Sequence, residues 1–307
     1  MGKLLFAALA LLPLSVRRRL GGWGGFLFSL IPTRDRAIAE LQLRLFLPDR
    51  NTRALVRQVY TEAGRTALTA LDLSPLLQEI DSPDEDFIAE LRQGNRPVLA
   101  LTAHLGPWDL LGAYAVSKGL SVATIGRAAR SPALHRLLTA LRSRYGITTF
   151  WRDDPQALRR IVGHLRSRGL IAALIDQDTR VDGTLSNFFG EPAFTPSSLI
   201  DISRRYDARI VTAFIVRLPS GRYEVNVKPI HDGAPLAEVL AIYHSRLEEL
   251  IRRYPAQWVW FHKRWRTLPS GERLSSREYV SYLQRKINAQ GNGVKSQILQ
   301  GEEKEVS

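Results

Sequence analysis

The chain has 307 residues, with 43 Lys and Arg against 30 Asp and Glu, a formal charge of +13, 45% apolar residues and no cysteine. Length and apolar content exclude a disordered chain and fit one large core or two small ones. The absence of thiols excludes disulfides, thiolate metal sites and a cysteine acyl-enzyme, while the charge points to an anionic partner: a membrane surface, a nucleic acid or a phosphorylated substrate.

Leu4 to Leu14 is an apolar run of 11 residues. As a helix it would be about 16 Å long, short of a bilayer core of about 30 Å. Arg17, Arg18 and Arg19 follow, then a second apolar stretch from Trp23 to Ile31. No small-x-small cleavage site precedes the arginines, so residues 1–33 read as an uncleaved membrane-associating segment lying in the interface, with a tilted spanning helix and a plain core helix as alternatives. On either membrane reading, Arg17, Arg18 and Arg19 prefer an anionic cytoplasmic leaflet.

From Arg34 to about Leu77, apolar residues recur at three- and four-residue steps, which predicts helices broken at Pro48-Asp49. Beyond Asp81-Ser82-Pro83, short apolar runs alternate with helical stretches. Strands are expected at 97–103, 121–126, 147–151, 170–175, 210–216 and 223–227, and helices at 107–117, 132–144, 155–167 and 196–205. Such alternation predicts an α/β fold with a mostly parallel or mixed central sheet flanked by helices over residues 34–287, and Pro219-Ser220-Gly221 predicts an antiparallel return between the last two strands. Residues 288–307 are polar and aperiodic and read as a flexible tail.

The chemistry concentrates at Thr102-Ala103-His104-Leu105-Gly106-Pro107-Trp108-Asp109. An apolar strand runs into a helix there, with His104 in the turn and Asp109 in the first helical turn, where the helix favours an ionised carboxylate. A fixed carboxylate orienting an imidazole is the arrangement of a general base, so His104 and Asp109 are the candidate catalytic pair. Taken alone, a His five positions from an Asp is weak, because a strand-end His is more often structural. Arg127 and Asp176 also end expected strands, and in α/β sheets the crevice lies beyond the carboxyl ends of strands. Asp176, Asp178 and Asp182 lack the Gly and Glu placement of an EF-hand, and no zinc-protease, P-loop or G-x-S-x-G motif is present; no metal or cofactor is expected.

Four blocks raise the specificity. His104-Leu105-Gly106-Pro107-Trp108-Asp109, then Gly126-Arg127 with Arg130-Ser131-Pro132-Ala133-Leu134, then Asp176-Gln177 with Phe188-Phe189-Gly190-Glu191-Pro192-Ala193, and lastly Gln257 to Thr267 occur in this order. Together they resemble the motifs of the bacterial lipid A late acyltransferase family, within the broader glycerolipid acyltransferase group. Two positions depart from it: Asp109 stands where many members carry Glu, and a Gly after the third block is replaced near Ser198.

The resemblance implies transfer of a fatty acyl chain from acyl carrier protein to a hydroxyl of a lipid A precursor, at the cytoplasmic face of a bacterial inner membrane. It further implies that Asp176 supports Arg127. Arg127, or backbone N–H groups of the Gly106 turn, would meet the oxyanion, and Arg130 would contact substrate. The aromatic and basic cluster Trp258, Trp260, Phe261, His262, Lys263, Arg264, Trp265 and Arg266 is expected at a lipid headgroup layer, although its alternation also suits a half-buried strand and its composition suits single-stranded nucleic acid. Acylation of another lipid and a non-catalytic basic binding protein are the competing functions; the expected partners are acyl carrier protein, a lipid acceptor and a membrane surface, with no nucleic acid.

Overall fold

The apolar runs Val98–Thr102 (β2), Val122–Gly126 (β3) and Leu170–Leu174 (β5) are short and bounded by turns, and they pair in parallel with β5 in the middle, as Thr102 facing Leu174 and Thr124 facing Ala172 show. This is the centre of a seven-stranded sheet in a computed structural model that describes residues 8–305, with side chains as far as Gln290. The other strands are Ile80–Asp81 (β1), Thr148–Trp151 (β4), Arg209–Arg217 (β8) and Tyr223–Pro229 (β9), giving the order β1-β9-β8-β2-β5-β3-β4. β8 and β9 are antiparallel through the turn at Gly221, as the sequence predicts, and the pairings β9–β1, β8–β2 and β3–β4 are parallel. Strands this apolar require cover on both faces, and helices supply it.

In chain order the helices are Leu14–Ser29 (α1), Arg34–Phe46 (α2), Thr52–Thr69 (α3), Ser74–Leu77 (α4), Glu85–Gln93 (α5), Trp108–Ser117 (α6), Pro132–Arg144 (α7), Ala157–Arg166 (α8), Ser198–Arg204 (α9), Leu236–Arg253 (α10) and Ser276–Glu305 (α11). One face of the sheet packs Leu76, Ile88, Leu91, Leu110 and Tyr114 from α4, α5 and α6; the other packs α8, α9 and α10, with α2, α3 and α11 beyond. α2 starts on the Thr33 side chain and α3 on that of Asn51, each accepting a backbone N–H in the first turn. A hairpin of Gly183–Phe188 (β6) and Glu191–Pro196 (β7) stands apart from the main sheet and was not foreseen, because Phe188-Phe189-Gly190 reads equally as core. Phe188 and Phe189 are in fact core, at the hairpin's turn.

α1 crosses α3 at very close range. Side chains built at Gly21 and Gly25 would strike the carbonyl oxygens of Gly64 and Tyr60, so only glycine permits this contact. The opposite face of α1 leaves Trp23 72% and Leu27 58% exposed, with Leu20, Phe26 and Phe28 beside them. Among the described residues no helix is long and apolar enough to cross a membrane. The first part of the apolar run, from Leu4 to Ala7, lies outside the described residues.

Three expectations for the ends of the chain are corrected. Arg17 is buried, donating to the carbonyls of Leu12, Thr69 and Asp72 and facing the Asp72 carboxylate at 3.5 Å. Arg18 is held by Glu79 and lies over the Tyr223 ring, so of the three arginines only Arg19 points freely to solvent. Both guanidiniums fasten α1 to the body because buried carbonyls and carboxylates need donors there. Finally, residues expected as an irregular tail from 288 continue the backbone of α11 to Glu305.

Candidate active site

Register builds the centre of the site. Thr102 of β2 pairs with Leu174 of β5, so two residues further on His104 and Asp176 leave the sheet side by side. The His104 Nδ1 lies 2.8 Å from Asp176 Oδ1, and the His104 backbone N–H donates to Oδ2 at 2.9 Å. The Trp258 indole N–H donates to the same Oδ2 at 2.9 Å. Asp176 is 1% exposed. Burial pushes its carboxyl up, yet the His104 ring, the two backbone and ring hydrogen bonds and the Trp258 indole outweigh that and hold it down to about 2. An ionised carboxylate only accepts, so Nδ1 carries the proton and Nε2 keeps its lone pair. Trp108 meets the imidazole edge-on at 5.0 Å between centroids, which limits ring rotation.

Asp109 occupies the first turn of α6 as expected but does not hold His104. Its Oδ1 takes the Arg142 Nε–H at 2.8 Å, because α7 lays Arg142 against the start of α6. The expected pair is therefore corrected to His104 with Asp176, and Asp176 does not serve Arg127. Gly106 is also reassigned. Its N–H donates to the Gln257 carbonyl at 2.9 Å, so it offers no donor to a substrate. Its φ of +58°, and the Ile215 carbonyl where a side chain would go, explain why glycine stands there.

The final block braces this turn from behind. Val259 N–H bonds to the His104 carbonyl at 3.2 Å, and the Gln257 side chain bonds the Arg217 backbone at both ends, 2.7 Å each. Trp258, Trp260 and Trp265 are at most 2% exposed and Arg264 is fully buried. Arg264 donates to Phe194 and Thr195 of the hairpin and, at 3.0 Å, to His244 Nε2. His262 is mostly buried, and burial pushes its imidazole down to about 3, so it is neutral. Trp260, His262 and Arg264 are thus internal, not headgroup contacts, because the block fills the space between the sheet and α2; Lys263 is half-buried. Asp178, two residues beyond Asp176, binds Arg273 at 2.9 Å and the Thr267 N–H at 3.0 Å.

His104 lines a cleft of about 430 Å³ at the carboxyl end of the sheet, together with Trp108, Arg127, Arg142, Arg152 and Gln177. Arg130 is exposed on the adjoining loop and does not line it. A narrow apolar seam between α6 and the sheet adjoins this cleft, sharing Trp108, Thr124, Arg142 and Leu174 with it and running past Ala100, Ala172, Ile147 and Val211. Among the described residues no group of three or more His, Asp or Glu side chains could hold a metal.

Sequence reasoning missed Gln42. It is buried on the core face of α2 and its amide donates to the carbonyls of Trp260 and His262 while accepting from Tyr279 at 2.8 Å. An amide on an otherwise apolar helical stripe was the available signal. Arg142 and Arg152 were also missed, because nothing in their local sequence separates them from the many exposed arginines.

The sequence profile of bacterial lipid A biosynthesis acyltransferases matches residues 1–267. The chain is 32% identical to the lipid A biosynthesis palmitoleoyltransferase of Escherichia coli (strain K12) over 120 residues, 38% of this chain and 39% of that protein. The lipid A biosynthesis acyltransferase of Shigella flexneri aligns with the same 32% identity over 120 residues, again 38% and 39% of the two chains. The matched stretch thus spans well under half the length of either relative. A crystal structure of the 1-acyl-sn-glycerophosphate acyltransferase of Thermotoga maritima aligns over 80% of this chain and 99% of that one, at 11% identity and a TM-score of 0.38.

Proposed function

Because the chain belongs to the bacterial lipid A biosynthesis acyltransferase family, we propose that it moves a fatty acyl group from the thioester of acyl carrier protein to a hydroxyl of a lipid A precursor. The observation that carries this reading is the imidazole of His104 in the cleft, with Nδ1 committed to the buried Asp176 and Nε2 left for chemistry. Nε2 takes the proton of the acceptor hydroxyl as its oxygen attacks the thioester carbonyl carbon. Asp176 steadies the imidazolium that results, and proton transfer of this kind contributes about 10²–10⁴-fold.

The tetrahedral oxyanion forms in the positive field of Arg127 and Arg152 around the cleft, since Arg142 is paired with Asp109. Its collapse re-forms the carbonyl, expels the thiolate, and returns the proton from Nε2 to sulfur. The apolar seam beside Trp108 suits a hydrocarbon chain, since most of its lining is aliphatic and its charged residues, Asp109 and Arg142, are paired with each other. An acidic carrier protein suits the basic surface. The exposed apolar face of α1 supports peripheral attachment to the cytoplasmic leaflet of the inner membrane, where the acceptor resides.

The test is mass spectrometry of lipid A from cells that carry the wild-type chain, His104→Ala or no copy. The wild type is expected to add one acyl mass, and His104→Ala is expected to match the empty strain while remaining in the membrane fraction. An acyl mass gained on another membrane lipid, with lipid A unchanged, would reassign the acceptor. Equal products from His104→Ala and wild type would remove the enzymatic reading.

A further inference from the structure

β3 and β4 are adjacent and parallel, with Gly126 opposite Trp151, so Arg127 and Arg152 leave the sheet as neighbours. A short loop after each strand leads into a helix. α7 lies on the α6 side of the sheet, with Leu141 near Leu73 and Ile147, while α8 buries Ile161 and Leu165 on the other side. The two helices therefore flank the edge strand β4 and begin beside the cleft, to which they contribute Leu138 and Ile161.

Residues 127–160 carry eight arginines against Asp153 and Asp154, nearly half of the chain's excess positive charge. Part of that charge is answered within the protein: Asp109 pairs with Arg142, Asp154 with Arg160, and Asp72 faces Arg144 at 3.8 Å. Asp153 is the counter-charge of Arg152. Arg130, Arg136 and Arg159 are exposed and, among the described residues, belong to no ion pair. Among them stand Leu134, 44% exposed in the first turn of α7, and Leu158, 58% exposed in the first turn of α8. No residue of α7 is buried, although Leu134, Leu137, Leu138 and Leu141 recur at helical spacing. The helix thus carries more apolar surface than the body of the chain covers.

An apolar centre rimmed by unpaired cations, on two helices whose positive ends face the same edge, is complementary to an acidic protein surface. We propose that the first turns of α7 and α8, through Leu134, Leu158, Arg130, Arg136 and Arg159, dock the acidic carrier protein that presents the acyl thioester to the cleft. The proposal rests on the acyl-transfer reading for the existence of such a carrier. Position favours a protein over a lipid surface at this edge. α1, with its exposed apolar face, is fastened by Arg18 to Glu79 and over Tyr223 of β9, at the other end of the strand order. By strand spacing β4 lies roughly 29 Å from β1. A chain attached to a bilayer through α1 therefore keeps the β4 edge open to a water-soluble donor.

Fluorescence anisotropy with a labelled bacterial apo acyl carrier protein, which lacks the prosthetic arm, reads this surface separately from the cleft. The full chain is expected to bind the probe with an affinity that falls as salt rises. Arg136→Glu combined with Arg159→Glu is expected to weaken binding at least about tenfold. Arg53→Glu combined with Arg57→Glu, at two exposed arginines of α3, alters net charge equally and is expected to leave binding unchanged. Should the first reversal lower the melting temperature, Arg136→Gln with Arg159→Gln is read in its place. No binding by wild type, binding unmoved by the α7 and α8 variants, or an equal loss in the α3 control overturns the proposal. So does a loss of flotation with anionic vesicles in place of a loss of carrier binding, which would make this edge a membrane contact. Carrier binding without acyl transfer to any lipid would sink the reaction and leave the docking surface standing. Acyl transfer from the carrier at the wild-type rate in the reversed variant would sink the surface alone.

Discussion

Two carboxylates approach the cleft, and their environments divide the work. Asp176 is sealed in the protein, accepts three hydrogen bonds and keeps its charge against burial; Asp109 lies in an ion pair with Arg142 beside the apolar seam. Replacing Asp176 with Asn presents an amide N–H or a weaker acceptor to the Nδ1–H, which frees the tautomer and withdraws the charge that steadies an imidazolium. Asp176→Asn is therefore expected to lower kcat by about 10²–10⁴ with little change in KM. Asp109→Asn is expected to act mainly on KM for the acyl donor, by releasing Arg142 at the junction of cleft and seam. Steady-state kinetics on both variants check this, and a larger kcat loss for Asp109→Asn would restore the pairing the sequence suggested. His104, Asp176 and Arg127 were legible as strand-end residues, because a crevice in a parallel sheet gathers such positions. Which acid meets which base was not, because five residues of helix-start geometry turn Asp109 away while register delivers Asp176 from a strand 72 residues on.

At the scale of elements, α1 has two faces with different duties. Its glycine face touches the α3 backbone, where the chain has no room for a Cβ; its outer face carries Trp23 and Leu27 into solvent. Gly25→Leu is expected to lower stability by about 1–3 kcal/mol, through overpacking against rigid backbone, and a thermal melt reads it. Leu27→Asp is expected to leave the melt unchanged and weaken flotation with anionic vesicles, since only the exposed face changes. If Leu27→Asp floats as well as wild type, α1 is not the lipid contact. The glycines were visible in the sequence as a cluster between Gly21 and Gly25. Their partner, Gly64, was not, because a helix crossing depends on two segments whose separation in sequence carries no information about their approach.

At the scale of the whole molecule, the far side of the core is a neutral-histidine interior in a strongly cationic protein. His244, deprived of water and next to Arg264, is pushed well below 6.5, and burial holds His262 at about 3. The unfolded chain protonates both below about pH 6.5 while the folded chain does not, so stability falls as pH drops through that range. The slope approaches about 2.7 kcal/mol per pH unit for two protons. Asp176 acts in a lower window. Its depressed value gives stability that is complete above about pH 4 and is lost as pH falls toward 2. Urea midpoints at pH 7.5, 6 and 5 check the first window, and a flat profile between 7.5 and 5 would mean that the two rings are not buried neutral.

The sequence by itself determined the α/β class, the antiparallel return at the last strands, the family motifs and the strand-end position of His104. These follow from short-range periodicity and turn chemistry, which a chain displays locally. It also located the closing aromatic block, yet misjudged its side: Trp260 and Arg264 look like surface residues until β6 and β7 supply carbonyls and rings to enclose them. Tertiary structure alone decided that Asp176 holds His104, that Arg142 occupies Asp109, that Arg17 is internal and that Arg127 stands beside Arg152. Each of those is a pairing between distant segments, fixed by strand register and helix docking, and register is a property of two strands together that neither one carries alone.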